Sequence, residues 1–293
     1  MAYQLKGQFV QTTGQLYVVA TPIGNLADMS PRAVEVLQTV DLILAEDTRH
    51  SAPLLRHFQI NTQCKSFHEH NENQIAASVC QQILDGRSIA LISDAGTPLI
   101  SDPGFPLIKL AHEQGIKVLT IPGPCAAVAA IAASGLAVDK FSFEGFLPHK
   151  SEARKKVLKG LLKESRTLIF YESPHRIQAT ISDMAEVFGG ERKAVLAREL
   201  TKLFETILNG NLSELVDIIG DDPNQRKGEM VIIVEGVDTA LSESAEVELE
   251  TMLKVLMEEL PLKKAVSTAV KLSGQKKNYV YQLALGLQKG DSE

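Results

Sequence analysis

Three loops and a few carboxylates carry the residue types with which this sequence could do chemistry. The string TPIGNL runs from Thr21 to Leu26, SDAGTPLISDPG from Ser93 to Gly104, and IPGPC from Ile121 to Cys125. Each follows a short apolar run and holds more glycine and proline than a plain connection needs. Gly96 and Gly104 permit close backbone approach, while Pro98 and Pro103 stiffen the path and reduce the entropy lost when a ligand binds. None reads G-x-G-x-x-G, the pattern that lets a backbone reach a pyrophosphate, so a nicotinamide or flavin enzyme is disfavoured. Glu46 and Asp47 in AEDTRH, Glu144 in FEGF, Glu172 in YESPHR and Glu199 in AREL stand at strand ends, where a carboxylate can act as a general base. His68-Glu-His70 offers metal-ligand types, but without a third ligand at recognisable spacing it reads as a loop or RNA-contacting segment, and no metal is expected.

The elements that must hold these residues alternate. LYVVA, DLILAE, a weaker TQCKSF, SIALIS and KVLTIP are separated by helical patterns, and strands apolar throughout imply a parallel sheet of five, covered on both faces. In such a sheet ligands bind beyond the carboxyl ends of the strands, where the strand order switches. The alanine-rich run after PGPC would let another segment or ligand lie close. A second α/β unit follows, with FSFEGFLP, a basic helix of about residues 151–164, TLIFYES, a helix near 176–188, KAVLARE, LFETILNG, a helix from Ser213 and EMVIIVEG. TKLFETIL alternates as an antiparallel strand does, so this sheet should be mixed. After Gly236 the pattern is helical. The expected domains are 14–135, 136–237 and 238–293.

At 293 residues the chain exceeds one ordinary core, which suits two domains and an appendage. The 44% apolar and 23% charged content is that of a globular protein, and no window approaches the ~18 apolar residues of a membrane span. Cys64, Cys80 and Cys125 form no C-x-x-C pair, which argues against a disulfide framework or a zinc site, and the N-terminus has no secretion signal, so the expected compartment is the cytoplasm. A net charge of −6 gives no global attraction to nucleic acid, but cations cluster. Lys150, Arg154, Lys155, Lys156, Lys159, Lys163 and Arg166 stand against only Glu152 and Glu164. Residues 261–290 hold Lys263, Lys264, Lys271, Lys276, Lys277 and Lys289 with no acid, directly after the acidic stretch Asp238–Glu259.

TPIGNL, AEDTRH, SDAGTPLISDPG, PGPCAA, FEGFLP, YESPHR, ARELTK and GEMVIIVEG, in that order over residues 15–236, resemble the signature of the ribosomal RNA small subunit methyltransferase I family within the tetrapyrrole methylase superfamily. The resemblance implies a class III methyltransferase fold, a homodimer, and S-adenosylmethionine held between two domains. It also implies methylation of a cytidine ribose 2′-hydroxyl in small-subunit ribosomal RNA near the decoding region. Carried over by position, Pro22, Asp94, Ala95, Gly96, Thr97, Ile100, Cys125, Ala126, Glu172 and Leu200 should meet the cofactor. Where relatives usually carry serine, this chain has Cys125, a weaker hydrogen-bond partner. Among the carboxylates Asp47 is favoured as base, with Arg49 beside it for an RNA phosphate; the other arrangement is a helix N-cap at Asp47 with a local Arg49 salt bridge. In the tail, Lys263, Lys264, Lys271, Lys276 and Lys277 are expected to face phosphates, over a small core that includes Val266, Ala269, Val270, Leu272, Val280 and Leu283, with Tyr279 and Tyr281 packed. Two alternatives stay open. A methylase of the same superfamily acting on a porphyrin-like substrate would give the basic segments no purpose, and a non-catalytic RNA-binding protein would not need three ligand-shaped loops.

Overall fold

A computed structural model of the chain describes residues 14–275 and 277–290, with side chains given except at 239–248 and 288–290. The five apolar runs of the first half form the expected parallel sheet. Its strands are β1 (Leu16–Val19), β2 (Leu42–Ala45), β3 (Cys64–Ser66), β4 (Ile89–Ile92) and β5 (Val118–Ile121), in the order β3-β2-β4-β1-β5. β2 and β4 are buried along their whole length because helices cover both faces. These are α1 (Pro31–Thr39) and α2 (Thr48–His57) on one face and α3 (Glu72–Leu84) and α4 (Phe105–Glu113) on the other, and α5 (Ala126–Ser134) follows β5. Ser30 starts α1 by accepting a hydrogen bond from the Ala33 amide, with Pro31 in the first turn, where a missing N–H costs nothing.

The second sheet is mixed, as expected, but TKLFETIL is only partly strand: residues 201–205 form a turn in which Leu203 and Phe204 are exposed, and the strand begins at Thr206. Its elements are β6 (Phe141–Phe146), α6 (Ser151–Gly160), β7 (Thr167–Glu172), α7 (Ile177–Phe188), β8 (Lys193–Arg198), β9 (Thr206–Asn211), α8 (Leu212–Asp221) and β10 (Met230–Val234). The order is β6-β7-β10-β8-β9, parallel only between β6 and β7. α5 is the joint between the sheets. Ala127, Ala130 and Ile131 pack into one core with Ile169 of β7, Val195 of β8 and Val231 and Ile233 of β10. Small side chains let the helix lie directly on the second sheet, and Ile23 of the first loop joins the same core. The two sheets accordingly belong to one compact unit, which runs to Leu161 and resumes at Thr167–Glu235. The other unit comprises Leu162–Arg166 and the chain from Gly236.

That second unit is α9 (Thr239–Glu259), α10 (Leu262–Ser273) and α11 (Lys277–Gly290) around Leu249, Leu253, Val266, Ala269, Val280 and Ala284. Val270 and Leu283 pack against this core, but Leu272 is 65% exposed and lies outside it. It stands in the last turn of α10, one residue before the helix ends at Ser273, beyond the stretch in which Ala265, Val266 and Ala269 are covered. Tyr279 and Tyr281, expected to pack, are exposed as well, because Val280 between them takes the inward direction on α11. Lys263, Lys264, Lys271 and Lys277 are exposed; Lys276 and the side chain of Lys289 lie outside the described residues.

The basic run at the start of α6 is less free than its composition suggests. Arg154 is buried and pairs with Asp183 of α7 at 2.6 Å, while also donating to the carbonyls of Pro148 and His149. Lys155 pairs with Glu186, and Arg166 with Glu164. Lys150, Lys156 and Lys159 stay exposed. One cation of the run therefore works as a buried structural tie, a role that no charge count reveals.

Candidate active site

The strand order turns at β1 and β4, neighbours whose onward connections leave toward opposite edges of the sheet. The loops that follow them are TPIGNL and SDAGTPLISDPG, and they are joined by a backbone bridge. The Thr21 amide donates to the Gly96 carbonyl at 2.8 Å, and the Gly96 amide returns a bond to the Thr21 carbonyl at 3.1 Å. Gly96 sits at φ +82°, a left-handed conformation, and a Cβ there would lie 3.2 Å from Ile23 Cγ2. The Thr97 hydroxyl donates to the Pro124 carbonyl, which ties in the third loop, IPGPC. All three loops thus meet at one place.

Beside them opens a cavity of about 350 Å³, within the ~300–1,000 Å³ typical of small-molecule sites. Asp94, Ala95, Gly96, Thr97, Ile100, Cys125 and Ala126 line it from the first sheet, and Glu172 and Leu200 from the second. Of the residues expected at a cofactor, Pro22 is not in the wall: it is buried, and its neighbour Ile23 lines the cavity instead. Asp47 and Arg49 are not in the wall either. Sequence reasoning did not single out Ser101, Asp102, Phe146, Tyr171, Glu229 or Met230, which also line it. Asp102 and Tyr171 fall inside motifs already conspicuous, SDAGTPLISDPG and YESPHR, but no spacing rule picks them from their neighbours. Tyr171 accepts a hydrogen bond from the Ala127 amide and stands edge-on to Phe143 and Phe146, while burial pushes its hydroxyl pKa up.

Backbone strain gathers around this cavity. Leu99 and Ser101 have φ of 73° and 69°, and Glu199 and Thr201 have 53° and 65°. Left-handed geometry at such residues costs about 1–3 kcal/mol each and persists only where the surroundings impose it. In the second pair the surroundings are visible. Lys202 lays its stem against Gly24 of the first loop, and its Nζ bridges Glu199 at 2.9 Å and Glu229 at 3.0 Å.

The candidate bases differ sharply in what holds them. Asp47 is the N-cap of α2: it accepts from the Arg49 amide at 2.8 Å, and its carboxylate is forked by Arg49 Nε and Nη2 at 3.1 and 2.7 Å. Those bonds hold its carboxyl far below the usual range, so it is a weak proton acceptor, and Arg49 is engaged locally. The structure thus gives this pair the capping arrangement. Its backbone still matters, since the Asp47 amide donates to Asp94 Oδ1 at 3.0 Å and orients that wall residue. Glu172 accepts from the Ser173 amide, Arg176 and the Thr180 hydroxyl, with its side chain fully buried. Glu199 is bonded to Lys202 and to the Glu229 amide, and Glu144 to the Ser142 hydroxyl. Asp102 is different: burial, aided by Glu46 and Asp94, raises its pKa to about 6 against the bond from Ser93. His68 and His70 stand edge to face at 5.8 Å, and among the described residues no group of three metal-ligand side chains comes together.

A parallel sheet that opens at its switch point onto a mixed sheet, with strained loops from both lining one cavity, is the architecture of the tetrapyrrole methylases. The family described as Tetrapyrrole (Corrin/Porphyrin) Methylases matches residues 15–216, and the one described as RsmI C-terminal HTH domain matches 243–288. The chain is 52% identical to the ribosomal RNA small subunit methyltransferase I of Escherichia coli O157:H7 over 94% of its length and 96% of the relative's. To the protein of that name from Vibrio cholerae serotype O1 it is 53% identical, over 92% and 94%. The chain belongs to the ribosomal RNA small subunit methyltransferase I family. In fold it is similar to a crystal structure of uroporphyrin-III C-methyl transferase from Thermus thermophilus complexed with S-adenyl homocysteine, at TM-score 0.53 and 14% identity, covering 75% of this chain and 97% of that one.

Proposed function

We propose that this protein transfers a methyl group from S-adenosylmethionine to the 2′-hydroxyl of a cytidine ribose in small-subunit ribosomal RNA, near the decoding region. Family membership supports a methyltransferase acting on that RNA. The observation that carries the cofactor assignment is the cavity where all three glycine- and proline-rich loops converge. Its volume suits a nucleoside-sized ligand. The cradle at Gly96, which a Cβ would crowd, suits close backbone approach, and carboxylates in the wall suit a cationic sulfonium. When bound, the cofactor supplies the electrophilic methyl group; the protein supplies alignment and takes up the proton.

In this reading Asp94, Ala95, Gly96, Thr97, Ile100, Cys125, Ala126, Glu172 and Leu200 hold the cofactor, with Pro22 supporting Ile23 from behind. Asp47 orients Asp94 through its amide, and Arg49 fixes Asp47. The helical unit, which presents Lys263, Lys264, Lys271 and Lys277 with Tyr279 and Tyr281 to solvent, holds RNA mainly through phosphates. We further assign the protein to the cytoplasm as a homodimer; among the described residues no helix is long and apolar enough to cross a membrane. The test is radiolabelled methyl transfer to small ribosomal subunits lacking the modification, with the product mapped. Label on the 2′-oxygen of a cytidine is the expected outcome; label on a base, or none, overturns the assignment.

A further inference from the structure

The proposed reaction needs a proton acceptor, because a ribose hydroxyl is a poor nucleophile at neutral pH, and four carboxylates line the cavity: Asp94, Asp102, Glu172 and Glu229. Three of them have other work. Asp94 accepts the Asp47 amide, Glu172 is fully buried under three donors, and Glu229 is paired with Lys202. Asp102 has no cation within salt-bridge distance among the described residues. It directly follows Ser101, whose φ of 69° is a left-handed conformation that serine does not adopt without constraint. The loop is therefore bent, at a cost, where it delivers this side chain to the wall.

We propose that Asp102 is the catalytic base of the methyl transfer. The inference rests on the function proposed above and names the group that completes it. The 2′-oxygen forms its bond to the methyl carbon as the carbon–sulfur bond breaks, and the sulfur keeps that electron pair as a neutral thioether. The hydroxyl proton ends on the Asp102 carboxylate, which later releases it to water. The groups facing Asp102 are Glu46 from β2, Asp94 from its own loop, Ser93 at the end of β4 and Tyr171 from β7, with His50 of α2 and Asp47 beyond Glu46. Burial first, and then the neighbouring Glu46 and Asp94, disfavour its anion and lift its proton affinity into the range where a base both stays ionised near neutrality and accepts a proton well. Asp47, locked to Arg49, lacks that affinity.

The experiment is single-turnover methyl transfer to small ribosomal subunits from pH 5 to 9, with S-adenosylmethionine affinity measured in parallel. For the wild-type protein the rate should rise tenfold per pH unit at the acid end and level off above about pH 6. Asp102→Asn should lose that limb and fall in rate by about 100- to 10,000-fold while binding S-adenosylmethionine within a few-fold of wild type. A folded Asp102→Asn variant with the wild-type rate and limb overturns the inference alone, as does one whose only defect is cofactor affinity. An inactive wild-type protein overturns the function on which it rests.

Discussion

Gly96→Ala is the sharpest probe of the loop convergence. At φ +82° an alanine pays about 1–2 kcal/mol for left-handed geometry, and its Cβ, 3.2 Å from Ile23 Cγ2, requires a shift of a few tenths of an ångström. The loop can hold its place, and then the strain appears as lost stability. It can instead relax in the free protein by giving up the two backbone bonds to Thr21, each with a net value of about 1 kcal/mol, and then the ligand must restore them. Either route sums to about 1–3 kcal/mol. Taken wholly as affinity, that is a loss of about 5- to 150-fold, because the competent loop becomes a minority state. Taken wholly as stability, it lowers Tm by about 2–12 °C. Calorimetric titration with S-adenosylmethionine and thermal unfolding of the same preparation read the two shares, and Gly96→Val should exceed Gly96→Ala in their sum. A Gly96→Ala protein with affinity within twofold and Tm within 1 °C of wild type would refute the claim that this backbone conformation builds the cavity.

Other consequences follow from single interactions. Asp183→Ala strands the buried Arg154 guanidinium without its carboxylate and should cost about 3–5 kcal/mol in urea unfolding; a loss below 1 kcal/mol would mean that water reaches the site. Burial raises Asp102 from 3.8 to about 6, so the folded state holds that proton more tightly than the unfolded chain, and the stabilisation, full below about pH 3.8, is lost as pH rises through about 6. Asp102→Asn should therefore raise Tm above pH 6, with the advantage vanishing toward pH 4; a constant difference across that window would contradict the assigned burial. Replacing Lys263, Lys264, Lys271 and Lys277 together by alanine should flatten the salt dependence of RNA binding by about 0.7–0.9 in logarithmic slope for each phosphate no longer neutralised, and leave S-adenosylmethionine affinity unchanged. An unaltered slope would remove the RNA-holding role. Asp47→Asn keeps a side-chain oxygen for the cap and should leave the methyl-transfer rate within a few-fold, whereas a 100-fold loss would restore Asp47 as the base.

Much of this architecture was legible along the chain because it depends on local pattern. Runs such as LILA and IALI, apolar at every position, announce strands buried on both faces, and Ser30-Pro31 announces a helix start. TKLFETIL announces an antiparallel strand too early: β9 starts at its Thr206, after a turn over residues 201–205. The three loops could be picked out as ligand-shaped from their glycine and proline content alone, and nine of the ten residues carried over to the cofactor line one cavity. What local pattern could not settle was which side chains find each other. Asp47 and Arg49 are two residues apart, and sequence offers both a base with an RNA-binding partner and a closed N-cap pair; only the rotamers in the folded loop give the second. Arg154 reads as one more cation in a basic run until α7 brings Asp183 against it, 29 residues further on. Leu272, Tyr279 and Tyr281 read as core, yet Leu272 lies in the last turn of α10 and the two tyrosines flank the inward Val280. Asp102 has no local mark at all, since its proton affinity arises first from burial and then from Glu46 and Asp94, all brought to it by strand order and packing. Periodicity, capping and turn chemistry act within a few residues and so are written along the chain. Charge pairing and burial act through space across long sequence separations, and these only the tertiary structure decides.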